Sequence, residues 1–243
     1  MSAELLQTAL KRGDLEMARA AAFGMAWQIG RQSTPEPDSH EDLPTASGRL
    51  NTALQAGDLD TANSILLGLV VQLTAKLEQQ TPRQKLAMLE KAAPGSGLER
   101  FYALSGLARA AFDAGEMDKA EGYASELLST APSYPKDWNY GNAVFHGNTI
   151  LGLVAIHRDK NLGLAKRLLL ASGQTTGSPQ LDSFGPNLSL AQDLLNVGER
   201  DTVLEFLNSC RRFWKMDYGK LDEWAGTIKR GAVPDFGANL LYH

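Results

Sequence analysis

An internal repeat constrains this chain more than any other feature. Residues 6–28 and 50–72 align without a gap at an offset of 44, with ten identities in 23 columns. Leu6, Thr8, Ala9, Leu10, Gly13, Asp14, Leu15, Ala18, Gly24 and Gln28 meet Leu50, Thr52, Ala53, Leu54, Gly57, Asp58, Leu59, Ala62, Gly68 and Gln72. Self-similarity of this kind marks one supersecondary unit used more than once. Each copy spells a helix, a tight turn and a second helix. Gly13 and Gly57 can close the first helix, because glycine adopts the left-handed conformation at little cost. Asp14 and Asp58 can then cap the second helix by accepting from its free N–H groups. Ala18 and Ala62, five residues past the glycine, are small enough to let two helices approach closely.

A third copy spans residues 104–132, LSGLARAAFDAGEMDKAEGYASELLSTAP. Leu107-Ala108, Gly115, Ala120 and Pro132 fall at offsets that resemble the tetratricopeptide repeat, and the match covers about residues 101–134. Met117, Ala120, Ala124, Leu127 and Leu128 form one apolar stripe on its second helix. A fourth unit carries Leu151-Gly152, a turn at Arg158–Asn161 and the small residue Ala165. A fifth runs from about Asn187 to Trp214 and turns at Gly198-Glu199. In its second helix Val203, Phe206, Leu207, Cys210, Phe213 and Trp214 share one face. A short helix is expected near Thr81–Ala92 and a capping helix near Tyr218–Arg230. No sustained alternation of apolar and polar residues signals a strand. The resemblance implies an all-α fold: a tetratricopeptide-like α-solenoid of about five helix-turn-helix hairpins, closed by a C-terminal helix that covers the end of the stack. The chain divides in this reading into an N-terminal part, 1–80, and a repeat-bearing part, 81–243.

Three segments interrupt the pattern. Residues 31–46, RQSTPEPDSHEDLPTA, are acidic and proline-rich and read as an exposed loop. Residues 93–97 read as a hinge. Residues 172–187 are too long for an ordinary inter-helix turn, and long loops of this kind tend to be functional or mobile. Leu181 and Phe184 are expected to fold this loop back onto the helices. The block GSPQLDSFGPN within it is similar to one in bacterial tetratricopeptide-like proteins, a likeness that brings no activity with it.

The chemistry-bearing residues are sparse. The 24 Lys and Arg residues are outnumbered by 28 Asp and Glu, a formal charge of −4, which argues against a nucleic-acid partner. Arg211, Arg212 and Lys215 cluster, but Asp217, Asp222 and Glu223 follow closely, so a solvated helix face is the simpler interpretation. The single cysteine, Cys210, excludes an internal disulfide and falls on an apolar helix face. Of four histidines, His40 lies in the acidic loop and His243 is last in the sequence. His146 and His157 stand three turns apart without the i, i+3 or i+4 pairing that metal binding favours, so no metal or cofactor is expected. No nucleophile elbow and no phosphate-binding glycine loop occurs. The start, Met1-Ser2-Ala3-Glu4, lacks the basic and apolar regions of a secretory signal. The longest apolar stretch, Ile65–Leu73, is far too short to cross a bilayer. The expected localisation is therefore cytoplasmic.

The resemblance also implies a groove. Helix A of each tetratricopeptide unit lines a concave surface, and its inward positions fall on Tyr102, Ser105, Arg109, Phe112 and Asp113 in the third unit. In the fourth they fall on His146, Thr149, Leu153, Ile156 and His157, with Asn142 one turn earlier. In the fifth they fall on Leu188, Gln192, Leu195 and Asn196; Leu188, Leu195 and Ile156 are better explained as ordinary inter-helix contacts. Such a mixture of apolar and hydrogen-bonding groups suits an extended peptide. The expected function is a non-catalytic scaffold or adaptor that holds a protein or peptide segment, with no membrane partner. A homodimer through the apolar N-terminal helices, Leu59 to Leu77 above all, is a further option. Two rivals stand beside this reading. One is a small-ligand-sensing regulator in which residues 172–187 cover a groove pocket. The other is an enzyme that uses His146 with a carboxylate such as Asp113 or Asp182. Trp138 can cover the core or stand at the groove rim.

Overall fold

The computed structural model describes residues 3–12, 15–29, 42–78, 80–93 and 95–241. Gly13, Asp14, His40 and His243 lie outside the described residues. Thirteen α-helices and no strand are present among them, so the chain is all-α. They fall into two compact units, Met1–Ala92 and Ala93–His243.

The first unit holds α1 (Ala3–Arg12), α2 (Leu15–Ile29), α3 (Leu43–Ala56), α4 (Leu59–Glu78) and α5 (Pro82–Ala92). The duplicated sequence forms two hairpins, α1–α2 and α3–α4. Equivalent positions of the two copies are buried alike: Leu6 and Leu50, Ala9 and Ala53, Ala18 and Ala62. Gly57 ends α3 in the left-handed conformation at φ 71°, and the Thr61 N–H donates to Asp58 Oδ1 at 3.1 Å. That hydrogen bond holds the Asp58 carboxyl below its ordinary range. The hairpins meet through their second helices: α2 packs along α4, with lighter contact between α1 and α3. Side-chain size fits this join. Ala21 and Ala22 of α2 occupy the repeat positions where α4 carries Ile65 and Leu66, and all four are buried. α5 packs against α1 and so groups with this unit.

The expected loop 31–46 is shorter than the sequence suggested at its C-terminal end. Leu43–Ala46 is already helical, because Asp42 accepts from the Thr45 N–H at 2.8 Å and Pro44 sits in the first turn, where its missing N–H costs nothing. Residues 31–41 lie outside the described residues.

The second unit holds α6 (Gly97–Asp113), α7 (Met117–Thr130), α8 (Tyr140–His157), α9 (Leu162–Ser172), α10 (Pro179–Ser183), α11 (Ser189–Asn196), α12 (Arg200–Cys210) and α13 (Lys220–Lys229). Here the hairpins α6–α7, α8–α9 and α11–α12 join in series. α7 packs on α8, α9 on both α11 and α12, and the first helices α6, α8 and α11 touch in succession. Ala120 and Ala165, the small positions of the third and fourth units, are fully buried. α13 packs on α12, and its Trp224 lies between Trp214 and Phe236, with ring centroids 5.7 and 5.1 Å away. Cys210 is buried, and burial pushes its thiol far above the ordinary value, so it is an inert core group.

Residues 172–187 are neither a plain loop nor a loose cover. They contain α10, capped by Ser178, whose hydroxyl accepts from the Leu181 N–H at 3.0 Å. Leu181 is buried as expected, but Phe184 is 54% exposed and does not fold back. The segment is fixed to α8 at one end, where Thr175 Oγ1 donates to the Gly141 carbonyl at 2.6 Å. Gly141 is required there: a Cβ on it would sit 1.7 Å from the Gly177 carbonyl oxygen. The other end is held by the chain that follows. Asp182 Oδ1 accepts from the Lys215 N–H at 2.8 Å, and Asn239 Nδ2 donates to the carbonyls of Phe184 and Pro186 at 3.0 and 3.1 Å.

Candidate functional site

The first helices of the three hairpins in the second unit, α6, α8 and α11, carry most of the groove residues expected from the sequence. Their helical spacing places Tyr102, Ser105 and Arg109 along one stripe of α6, and His146 and Thr149 on α8. Ser105, Arg109, His146 and Thr149 converge on one cleft, together with Ile150 and Asn187. The cleft measures about 10 Å³, at the lower bound for holding a single water. None of its lining residues is a carboxylate.

Arg109 is the organising side chain. Its Nε donates to both carboxylate oxygens of Asp113, at 2.9 and 3.1 Å, one turn along α6. Its Nη1 reaches Ser189 Oγ of α11 at 3.4 Å. Asp113 is thus engaged by Arg109 and does not line the cleft with His146. His146 packs edge-on against Phe145, centroids 5.3 Å apart. Thr149 is 3% exposed and its hydroxyl donates back to the Phe145 carbonyl at 2.9 Å, so it offers the cleft little more than a methyl edge.

His157 lies further along α8. Its Nε2 stands 2.7 Å from Asp193 Oδ2 of α11, and its ring meets Phe112 of α6 edge-on at 5.4 Å. The pair therefore ties the three first helices together at their far end. Gln192 is half-buried and Asn196 exposed on α11. Leu153, Leu188 and Leu195 are buried, which makes them core rather than contact residues.

Asn142 is 7% exposed and serves the loop instead of a groove. Its Nδ2 donates to Asn139 Oδ1 at 3.0 Å and to Gln180 Oε1 at 3.3 Å, and its Oδ1 accepts from the Ser178 hydroxyl. Tyr102 stands at the opposite margin. Its hydroxyl donates to Asp137 Oδ2 at 2.7 Å, and its ring lies 5.5 Å from that of Trp138. Burial, reinforced by the Asp137 carboxylate, raises the Tyr102 phenol above its ordinary value.

The chain matches no family model, no curated protein and no solved structure.

Other candidates are taken up elsewhere. Arg211 pairs with Asp222 at 2.6 Å, Arg212 Nη2 donates to the Gly173 carbonyl at 2.8 Å, and Lys215 Nζ donates to the Arg211 carbonyl at 2.9 Å. Among the described residues no three His, Cys, Asp or Glu side chains gather closely enough to hold a metal ion. No described helix is long and apolar enough to cross a membrane.

Sequence reasoning missed Asn187, Ile150, Asp193 and Asp137. Asn187 and Asp137 sit outside the helices, so no periodicity marks them. Asp193 follows the singled-out Gln192 by one residue, and only the contact with His157, 36 positions away, distinguishes it.

Proposed function

We propose that this chain is a non-catalytic scaffold or adaptor whose second unit is a tetratricopeptide-like stack. A segment of a partner protein lies across α6, α8 and α11. The observation that carries the reading is the convergence of Ser105 and Arg109 from α6 with His146 and Thr149 from α8 on a single cleft beside Asn187. The serial joining of the hairpins supports the stack, because it places their first helices side by side. The polar groups of the cleft available to a partner are the Arg109 guanidinium, the His146 imidazole and the Ser105 hydroxyl, and these can hold the carbonyls of an extended chain. A partner backbone laid along the surface needs shallow notches of this size. A metabolite needs a pocket of about 300–1,000 Å³.

The test is retention of a partner from native lysate by wild type, Ser105→Lys and Arg109→Ala. Ser105→Lys fills the cleft without touching the core. We expect wild type to retain a partner that Ser105→Lys loses and Arg109→Ala holds more weakly, with melting temperatures of the variants close to wild type. A partner held equally by all three proteins rejects the groove.

A further inference from the structure

We propose that Tyr102, Trp138 and Asp137 form a subsite for a cationic side chain, arginine or lysine, of the bound partner segment. The proposal rests on the groove reading and names the chemistry at one end of it.

The subsite is built from two aromatic faces and one carboxylate. Trp138 is 50% exposed, an uncommon state for the largest apolar side chain. It sits on a run of tight turns between α7 and α8. The Asp137 N–H donates to the Tyr134 carbonyl at 3.0 Å, the Tyr140 N–H to the Asp137 carbonyl at 3.1 Å, and the Asn139 N–H to Asp137 Oδ1 at 2.8 Å. The residues on either side of Trp138 are therefore held, and little entropy remains to be lost when the indole is covered. Tyr102 stands beside it, rings tilted by 33°. Behind Tyr102 the stack continues into fully buried Phe101, at 6.0 Å, and on to Tyr134, at 5.1 Å from Phe101. The exposed pair is thus braced from the core.

Charge decides what such a pair accepts. Of the other carboxylates near this groove, Asp113 is paired with Arg109, and Asp193 hydrogen-bonds to the His157 ring. Asp137 has no cationic partner among the described residues, yet it is fixed 2.7 Å from the Tyr102 hydroxyl. A phenol that donates to a carboxylate gains electron density in its ring, which strengthens attraction for a cation over its face. Aromatic faces attract cations through their quadrupole, and indole does so best. An arginine adds planar stacking and a fork of donors for the carboxylate. Tyr102 and Ser105 are three residues apart on α6, so the subsite lies one helical turn from the cleft. One extended segment can reach both.

The experiment measures binding of acetylated, amidated tetra-arginine to the full chain by isothermal titration. Tetraglutamate and tetramethylammonium are the comparison probes. The variants are Trp138→Ala, Trp138→Phe, Asp137→Asn and, as a control carboxylate on α13, Glu223→Gln. In Asp137→Asn the single amide oxygen can still accept from the Asn139 N–H, which keeps the turn, while the amide N–H can donate to the Tyr102 hydroxyl in place of accepting from it, so the charge goes and the turn stays. We expect wild type to bind tetra-arginine and not tetraglutamate. Trp138→Ala should weaken binding about three- to thirtyfold and Asp137→Asn at least about threefold, with Trp138→Phe between wild type and Trp138→Ala. Glu223→Gln should leave binding unchanged. Equal binding by wild type, Trp138→Ala and Asp137→Asn overturns the subsite. So does an equal loss in Glu223→Gln, which would reflect the overall charge of −4. Binding of tetramethylammonium without tetra-arginine overturns the assignment to a basic side chain. Ser105→Lys separates the two readings. If it releases the partner while tetra-arginine binding proves insensitive to Trp138 and Asp137, the groove stands and the subsite falls. The reverse pattern rejects the groove alone.

Discussion

The two units use the same hairpin and join it differently. In the first, α2 meets α4, so the hairpins touch through their second helices. In the second, α7 meets α8 and α9 meets α11 and α12, so each hairpin hands on to the next. The turn and the small buried residue recur in both, and in the second unit a side-chain cap opens the second helix of one hairpin, where Asn161 Oδ1 accepts from the Leu164 N–H at 3.0 Å. Those features form a hairpin; they do not say which outer face the next hairpin covers. Side-chain size on the second helix does not make that choice, because both second helices carry small buried residues there. The α2 stripe of Ala18, Ala21 and Ala22 leaves room for the bulk of Ile65 and Leu66 on α4. The α7 stripe of Ala120 and Ala124 leaves room for α8 instead. The join also sets which helices share a surface. A serial join lines up first helices and leaves a shared surface on α6, α8 and α11. The first unit, joined mainly through its second helices, holds none of the residues that line this cleft.

The largest break in the comparison should come from Leu66→Ala. Leu66 is fully buried, and truncation there should cost about 2–5 kcal/mol. Hydrogen exchange should show the loss in α1–α5, with amides of α6–α9 keeping their protection. Uniform loss along the chain would mean that the two units unfold as one.

Next come Ala62→Leu and Ala120→Leu, the same small position in each unit, both fully buried. Each should lower stability by about 1–3 kcal/mol through overpacking. Urea denaturation measures it. A neutral result in one would show that its hairpin does not use the small residue for close approach. Gly141→Ala sharpens the second unit at comparable size. Its new Cβ would meet backbone rather than a yielding side chain, so residues 173–187 should become open to limited proteolysis while α6 and α7 stay protected.

The smallest effect concerns Arg100 and Glu126, which join α6 to α7 with two hydrogen bonds at 2.9 and 2.7 Å. Arg100 holds the Glu126 carboxyl below its ordinary value of 4.5. A lowered folded-state value means the pair stabilises the fold above about pH 4.5, and that contribution fades as pH falls through the folded value. Both groups are partly exposed, so Glu126→Gln should cost less than about 1 kcal/mol at pH 7, and less still as pH falls through the folded value. Melting temperatures of wild type and variant should converge on acidification.

The sequence made the hairpins legible because they are local. Gly57, Asp58 and Ala62 act within six consecutive residues, and their roles follow from spacing. The α-helical stripe Val203, Phe206, Leu207 and Cys210 was equally readable, and all four are buried. Joins between hairpins were not legible, since the same stripe of alanines fits either a first or a second helix. The shared cleft of Ser105 and Arg109 on α6 could be placed from helical period, but Asn142 could not. Its period points it at the groove, while Ser178 and Gln180, 36 and 38 residues away, claim its polar atoms. Phe184 failed for a related reason: Asp182 and Asn239 fix the backbone around it, and the ring is left outside.

The backbone-to-backbone seating of Gly141 against Gly177 has a practical consequence. A fluorophore or affinity handle spliced between residues 173 and 187 would pry apart a seam that admits not even a methyl group. The turn at Val197 offers a safer insertion point provided Gly198, at φ 90°, is kept: Val197 faces solvent, and nothing lies within 4 Å of where a Cβ would stand at Gly198.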